Sequence, residues 1–348
     1  MPQDTAPLSS SSAETGAPPI AVHVIRGDMV ESRHRAAFAV VDEAGRIVEA
    51  RGEIDAPVYP RSAFKPLQAL PLVETGAADR FALTAEELAL ACASHGGEKK
   101  HAETAAGVLA RAGLSEADLE CGAHLPYHVP SAHALIREGR APSALHNNCS
   151  GKHAGMLITA RHMGEATRGY IAPDHPVQRR VLRAIEEMVG LDLSKAPRGV
   201  DGCGLPQIGI PLRALALAIA RLGAPDALPQ TRAAACRRIG AAMTAHPFMV
   251  AGTGRFCTSI MTIATGKVIA KTGAEGMYMA AVPARGLGIA LKIEDGAARA
   301  AEVTLASLLA RYADFDDAQR TRLDTLLTPP IQNVAGRLVG RIAPVPGF

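Results

Sequence analysis

The feature that most restricts this chain is where its apolar period changes: strand-like segments lie towards both ends, and a long helical stretch separates them. Strands must pair, because their backbone donors and acceptors need partners. The segment RAAFAVVDEAGRIVEARG, Arg35 to Gly52, is rich in β-branched residues and breaks at Glu43-Ala44-Gly45, which predicts a hairpin. Near the other end, TSIMTIATGKVIAKTG predicts two strands turning at Thr265-Gly266, and MYMAAV and GLGIALKI predict two more. Between them the period is helical. Ala105, Val108, Leu109 and Ala112 share one face, as do Val181, Leu182, Ile185, Met188 and Val189. Thr84 with Glu87 forms a capping box, Asp174 precedes Pro176, Gly190 follows an apolar stripe, and RAAEVTLASLLARY predicts a last helix. The expected fold class is α/β in the α+β sense. One antiparallel sheet is built from both ends (about 21–62 and 250–348), with flanking helices and an inserted helical lobe (about 63–249), all in one domain, 21–348.

Composition removes several function classes. With 37 basic and 34 acidic residues the net charge is only +3, and aromatics are 3% with no Trp, so neither a nucleic-acid surface nor a base-stacking platform is expected. No apolar run reaches the roughly eighteen residues that span a bilayer, so no membrane partner is expected. Residues 1–20, MPQDTAPLSSSSAETGAPPI, read as a flexible arm without the basic start and apolar stretch of a secretion signal, and the expected location is cytoplasmic. In that compartment the six cysteines are expected as thiols.

Two short motifs carry the first chemical hint. In RSAFKPLQ, Ser62 and Lys65 are three apart at a predicted helix start, so their side chains share a face. A lysine whose pKa is lowered by burial can take a proton from such a hydroxyl; a solvated lysine beside a helix cap is the plain alternative. Lys271-Thr272-Gly273 follows on a C-terminal strand, and S-x-x-K facing K-T-G is the arrangement of serine acyl-transferases of the β-lactamase and penicillin-binding kind. In CASHGGEKKH, Ser94 stands where a helix gives way to Gly96 and Gly97, either as a second active-site hydroxyl or at an ordinary glycine-terminated helix end.

The octet HNNCSGKH, His146 to His153, and the later DGCGLPQ bring Cys149, Lys152, His153, Asp201 and Cys203 into two polar segments. Two thiols suit zinc, but C-x-x-C and paired histidines are lacking, so a site would need Lys152 as a neutral amine, His153 or Asp201 to complete it. Buried inert thiols and a polar turn beside the nucleophile remain equally open. His124, His128, His133 and His146 crowd GAHLPYHVPSAH and its surroundings without ligand spacing. AGTGRF offers no dinucleotide-binding fingerprint.

Taken in order, RSAFKPLQ, CASHGGE, HNNCSGKHAGML, DGCGLP and AKTGAEG resemble the bacterial L-asparaginase II family of the Rhizobium etli inducible type, from about Val22 onward. The resemblance implies a serine β-lactamase/glutaminase-like fold, a homodimer, and hydrolysis of L-asparagine to L-aspartate and ammonia. It implies two Ser-Lys pairs, Ser62 with Lys65 and Ser94 with Lys271. It also implies a zinc (Zn2+) site held by Cys149, Lys152 and Cys203, with His153 and Asp201 close by. Arg61, His153 and Asp201 are the expected substrate-binding residues. Ser62 is the expected nucleophile, its own amide and one from the strand after Lys271 the expected oxyanion donors. Glutaminase or a β-lactamase-like acyl hydrolase is the alternative.

Overall fold

The computed structural model describes residues 16–348; most of the predicted N-terminal arm lies outside them. An eight-stranded antiparallel sheet runs Pro330–Gln332, Leu338–Pro344, Ile20–Arg26, Met29–Asp42, Leu287–Ile293, Met277–Val282 and Ile269–Thr272, with Ile47–Arg51 also paired to Met29–Asp42. Both ends of the chain therefore build one sheet, with the helical stretch between them, as the sequence predicts.

The long strand Met29–Asp42 explains how the sheet serves two environments. Its first half, MVESRHR, is polar and pairs with Ile20–Arg26, whereas Ala36–Asp42 is almost continuously apolar, buried, and pairs with Leu287–Ile293. A strand covered on both faces loses the polar alternation of a half-solvated one. The cover is Leu212–Gly223 on one side, a helix buried nearly all round, and Ala298–Tyr312 packed against the sheet strands as well. Gly288 lets the first of these approach: a Cβ there would sit 2.1 Å from Ala216 O.

In the helical lobe, Thr84 caps Ala85–Ala91 with the reciprocal Glu87 bond, and Lys99–Arg111 and Pro176–Val189 form as predicted, the latter closed by left-handed Gly190. The cap before Pro176 is His175, whose side chain accepts from Val177 N, and not Asp174. The lobe is centred on Ser150–His162, buried along Ser150–Ala160.

Two expectations fail. TSIMTIA is a helix, Phe256–Ala264, and not a strand; β-branched content favours strand locally, but Phe256, Cys257, Ile260, Met261 and Ala264 bury a helical stripe. Tertiary packing overrides propensity there. The helix Ala298–Tyr312 is also not the last element, since Asp317–Leu327 and the hairpin Pro330–Gln332 to Leu338–Pro344 follow. That hairpin covers the outer edge of Ile20–Arg26, whose ladder bonds would otherwise be left open.

Candidate active site

The predicted helix start at Ser62 is a single 3-10 turn, Arg61–Phe64, followed by one α-turn, Lys65–Gln68. Pro66 and Pro71 break the run into short pieces, so little helix dipole acts on Ser62. Ser62 stays half-buried while Lys65 points inward and is completely buried. Against this turn lies the K-T-G strand. A Cβ at Gly273 would sit 2.7 Å from Pro60 O and 3.2 Å from Ala63 N, so glycine is what allows strand and turn to touch. The two motifs face each other.

Ser94 is the meeting point of the lysines. Its hydroxyl is 3.0 Å from Lys65 Nζ and 2.8 Å from Lys271 Nζ. Lys65 Nζ also donates to Ala93 O at 2.5 Å and Cys149 Sγ at 3.1 Å, and Lys271 Nζ to Thr272 O at 2.8 Å. Thus the Ser94 with Lys271 contact forms, whereas Ser62 is not among the hydrogen-bond partners of Lys65. Burial, with no carboxylate alongside, pushes the Lys65 ammonium below the usual lysine range. Burial and then the charge of Lys65 bring Lys271 down to about 7. A neutral amine beside a serine hydroxyl is a proton acceptor ready for use.

Next to this group is a second, sulfur-containing one. Lys152 Nζ donates to Cys203 Sγ at 3.2 Å, and the Cys203 thiol hydrogen-bonds Cys149. That bond, with Lys152 and Lys65 nearby, holds the Cys149 thiol well below its ordinary pKa despite burial, while Cys203 is raised as the donor of the pair. Burial opposes the charge of Lys152 as well, yet Cys149, Cys203 and Asp201 outweigh it and hold the ammonium above its usual range. All six cysteines are unpaired and buried. Among the described residues no three His, Cys, Asp or Glu side chains group in a way that would hold a metal. A metal here would thus need the Lys152 amine beside the two sulfurs, and the convergence of these three donors fits a thiophilic cation.

His153 is fully buried; Nδ1 meets Tyr170 OH at 2.6 Å and Nε2 has no partner. Burial holds its ring neutral, well below the usual histidine range. Arg61 and Asp201 form an ion pair, with Arg61 Nε 3.0 Å and Arg61 Nη2 2.9 Å from Asp201 Oδ1. The amide of Gly273 donates to Met277 O at 2.7 Å and is therefore not available as an oxyanion donor. His124, His128, His133 and His146 are half-buried or exposed, in loops, on the helix Val129–Arg137 and at the end of the 3-10 turn Ala144–His146.

Three residues that support the site escaped sequence reasoning. His95, in CASHGG, is fully buried, takes the Gly97 amide at Nδ1 (3.1 Å) and so donates from Nε2 to Ser150 Oγ (2.9 Å). Asn147 ties its own loop to Cys121 O and Gly122 O while accepting from Cys149 N at 2.8 Å. Gln207, the last residue of DGCGLPQ, bonds both Arg61 and Asp201. Only their place inside the quoted motifs signals them.

Residues 22–344 match the L-asparaginase II family. The chain belongs to that family. Membership places it among asparaginase-type amidohydrolases. No curated protein matches it in sequence. Among solved structures it is similar to Mglu, at 16% identity over 80% of this chain and 67% of that one, with a TM-score of 0.36. It is also similar to Mglu in its glutamate form, at 14% identity over 80% of this chain and 61% of that one, TM-score 0.38. The LovD6 mutant of simvastatin synthase from Aspergillus terreus matches at 12% identity over 84% of this chain and 90% of that one, TM-score 0.37. The chain thus spans roughly two thirds of the length of the Mglu chains, and likenesses this distant carry no functional argument. Among the described residues no helix is long and apolar enough to cross a membrane.

Proposed function

We propose that this L-asparaginase II family member is an L-asparaginase of the Rhizobium etli inducible type, hydrolysing L-asparagine to L-aspartate and ammonia through a serine acyl-enzyme. The observation that carries the chemistry is Ser94 Oγ held between Lys65 Nζ and Lys271 Nζ, with Lys65 directly following the turn that carries half-buried Ser62.

In this mechanism Ser62 attacks, because of the two hydroxyls it is the one accessible from outside; Ser94 is 4% exposed. Lys65, turning from Ser94 towards the substrate-loaded Ser62, takes its proton, and Ser62 Oγ adds to the side-chain amide carbon. The Ser62 amide, at the start of the turn, stabilises the oxyanion. The proton taken by Lys65 passes through Ser94 and neutral Lys271 to the departing ammonia; water then gives a proton to Lys65 as it adds to the acyl carbon, and that proton returns to Ser62 Oγ as aspartate leaves. Arg61, Asp201 and His153 are the proposed partners of the substrate's α-carboxylate and α-amine, which need opposite charges.

Cys149, Lys152 and Cys203 would hold zinc, with Lys152 deprotonated on binding. Bound there, zinc would supply a fixed positive charge and Lewis acidity next to Lys65. The protein's own residues carry each proton transfer described above. A homodimer in the cytoplasm completes the proposal.

The position of Ser94 on both lysines favours a second reading, in which Ser94 attacks and Ser62 binds substrate. Separate assays of Ser62→Ala and Ser94→Ala, with mass-spectrometric trapping of the acylated peptide, decide between them. Ammonia release from asparagine and glutamine, with and without chelator, tests the reaction itself; glutamine preference would make the protein a glutaminase, and nitrocefin turnover a β-lactamase-like acyl hydrolase.

A further inference from the structure

The backbone immediately before Ser62 is in an unusual state. Arg61 has φ 50°, one of four non-glycine residues among those described with positive φ. The left-handed region crowds the Cβ of an L-residue, and such residues persist where surrounding contacts over-determine them. Two side chains do so here. The Arg61 N–H donates to Gln207 Oε1 at 3.1 Å, and the Arg61 guanidinium lies on Asp201 Oδ1 at 2.9 Å. Gln207 Nε2 then donates to Asp201 Oδ2 at 3.3 Å, which closes a ring of contacts around one residue. Gln207 is 2% exposed in the strand Pro206–Ile208, so its amide has little freedom. From the other side Gly273 closes on Pro60 O and Ala63 N.

We propose that Gln207 is a positioning residue for Ser62: its side-chain carbonyl holds the Arg61 peptide in the left-handed conformation, and that conformation aims the Ser62 hydroxyl and the Ser62 amide at the substrate. The proposal rests on Ser62 being the nucleophile. Gln207 itself touches neither substrate nor a reacting atom. Losing its carbonyl releases Arg61 to the ordinary region of backbone space and turns the serine away, while the Arg61 with Asp201 ion pair survives. The chemical step should therefore suffer more than substrate affinity.

Two variants of nearly the native shape test this. Gln207→Met removes the acceptor, and Gln207→Glu keeps an oxygen where Oε1 stands while sharing one proton with the Asp201 carboxylate where Nε2 donated. The readouts are kcat and KM for asparagine and the second-order rate of covalent labelling by a fluorophosphonate, mapped by peptide mass spectrometry. Gln207→Met should lower kcat and the labelling rate together by about 10- to 100-fold with KM within about threefold, the scale expected for small misplacement of a reacting group. Gln207→Glu should keep its labelling rate within about threefold of the unmodified protein, since the acceptor remains. Unchanged kcat and labelling in Gln207→Met, a change confined to KM, or a Gln207→Glu as impaired as Gln207→Met overturns the proposal. Should Gln207→Met fail to fold, Gln207→Ala, which removes the same acceptor, takes its place with the same expected losses and the same overturning results. Labelling mapped to Ser94 overturns the nucleophile assignment and this role with it, whereas labelling at Ser62 that ignores Gln207 overturns the role alone.

Discussion

Two neighbouring groups in this protein contain buried lysines with opposite fates. Around Ser94, Lys65 and Lys271 are completely buried among hydroxyl and carbonyl partners, with one thiol, Cys149, on Lys65, and burial outweighs these in pushing both towards the neutral amine. Around the thiols, Lys152 is just as dry, yet Cys149, Cys203 and Asp201 keep it charged. Burial alone therefore does not decide a lysine's chemistry; how much negative charge stands against it does, and Lys152 has Asp201 in addition to the two sulfurs. One group is suited to moving protons, and the other to exchanging a proton for a cation. Cys149 Sγ, 3.1 Å from Lys65 Nζ, is the contact that joins them.

The largest expected effect lies in the proton-moving group. Ser62→Ala should reduce ammonia release by about 10,000-fold or more, and Lys271→Met by about 1,000-fold, as losses of a nucleophile and of a proton-transfer partner do. Ser94→Ala should fall by about 100-fold. If instead Ser94→Ala is the most damaged of the three in a coupled ammonia assay, the attacking hydroxyl is Ser94.

The pH dependence separates the two groups next. With Lys271 near 7, its neutral form is lost as pH falls, so kcat should rise with pH through about 7 and level off above it. Lys271→Met should flatten that limb. A limb that survives the substitution belongs to another residue.

Metal removal should act on the sulfur group alone. Chelation should leave a partly active enzyme, reduced by about tenfold rather than abolished, because the proton transfers are assigned to serine and lysine. Cys203→Ser and Lys152→Met should each lose bound zinc by inductively coupled plasma mass spectrometry, whatever happens to turnover. Retained stoichiometric zinc in Lys152→Met would remove lysine from the ligand set.

The smallest effect is the most direct probe of the contrast. Lys271→Met exchanges a buried amine lacking an anionic partner for a side chain of like volume, and should raise stability by about 1–2 kcal/mol in urea unfolding. Lys152→Met, in metal-free protein, strands the Cys149 thiolate and should lower it by about 2–4 kcal/mol. The lysine titration adds a sign to check: because the folded pKa of Lys271 lies below that of the unfolded chain, the unfolded state binds the extra proton between about 7 and about 10.5. Stability of the unmodified protein should therefore rise with pH across that window by this contribution. In Lys271→Met the contribution should vanish.

Much of this was legible in the amino-acid order. Period and turn residues located the hairpin, the middle helices and the Thr84 cap, since those depend on neighbours within a few residues. The motifs named Lys65, Ser94, Cys149, Lys152, Cys203 and Lys271, which the fold does bring together. The helix Phe256–Ala264 and the closing hairpin were not legible, because one depends on which face finds a core and the other on a strand some three hundred residues earlier in the chain that needs its edge covered.

What the sequence determined by itself is the chemistry present: which nucleophiles, amines and thiols exist, and at which turns and helix ends they stand. What only the tertiary structure decided is their company. Lys65 lies three residues from Ser62 but bonds Ser94 and Cys149, and Gln207 holds a peptide nearly 150 positions away. A side chain's proton affinity and reach depend on what surrounds it in space, and only folding assembles those surroundings.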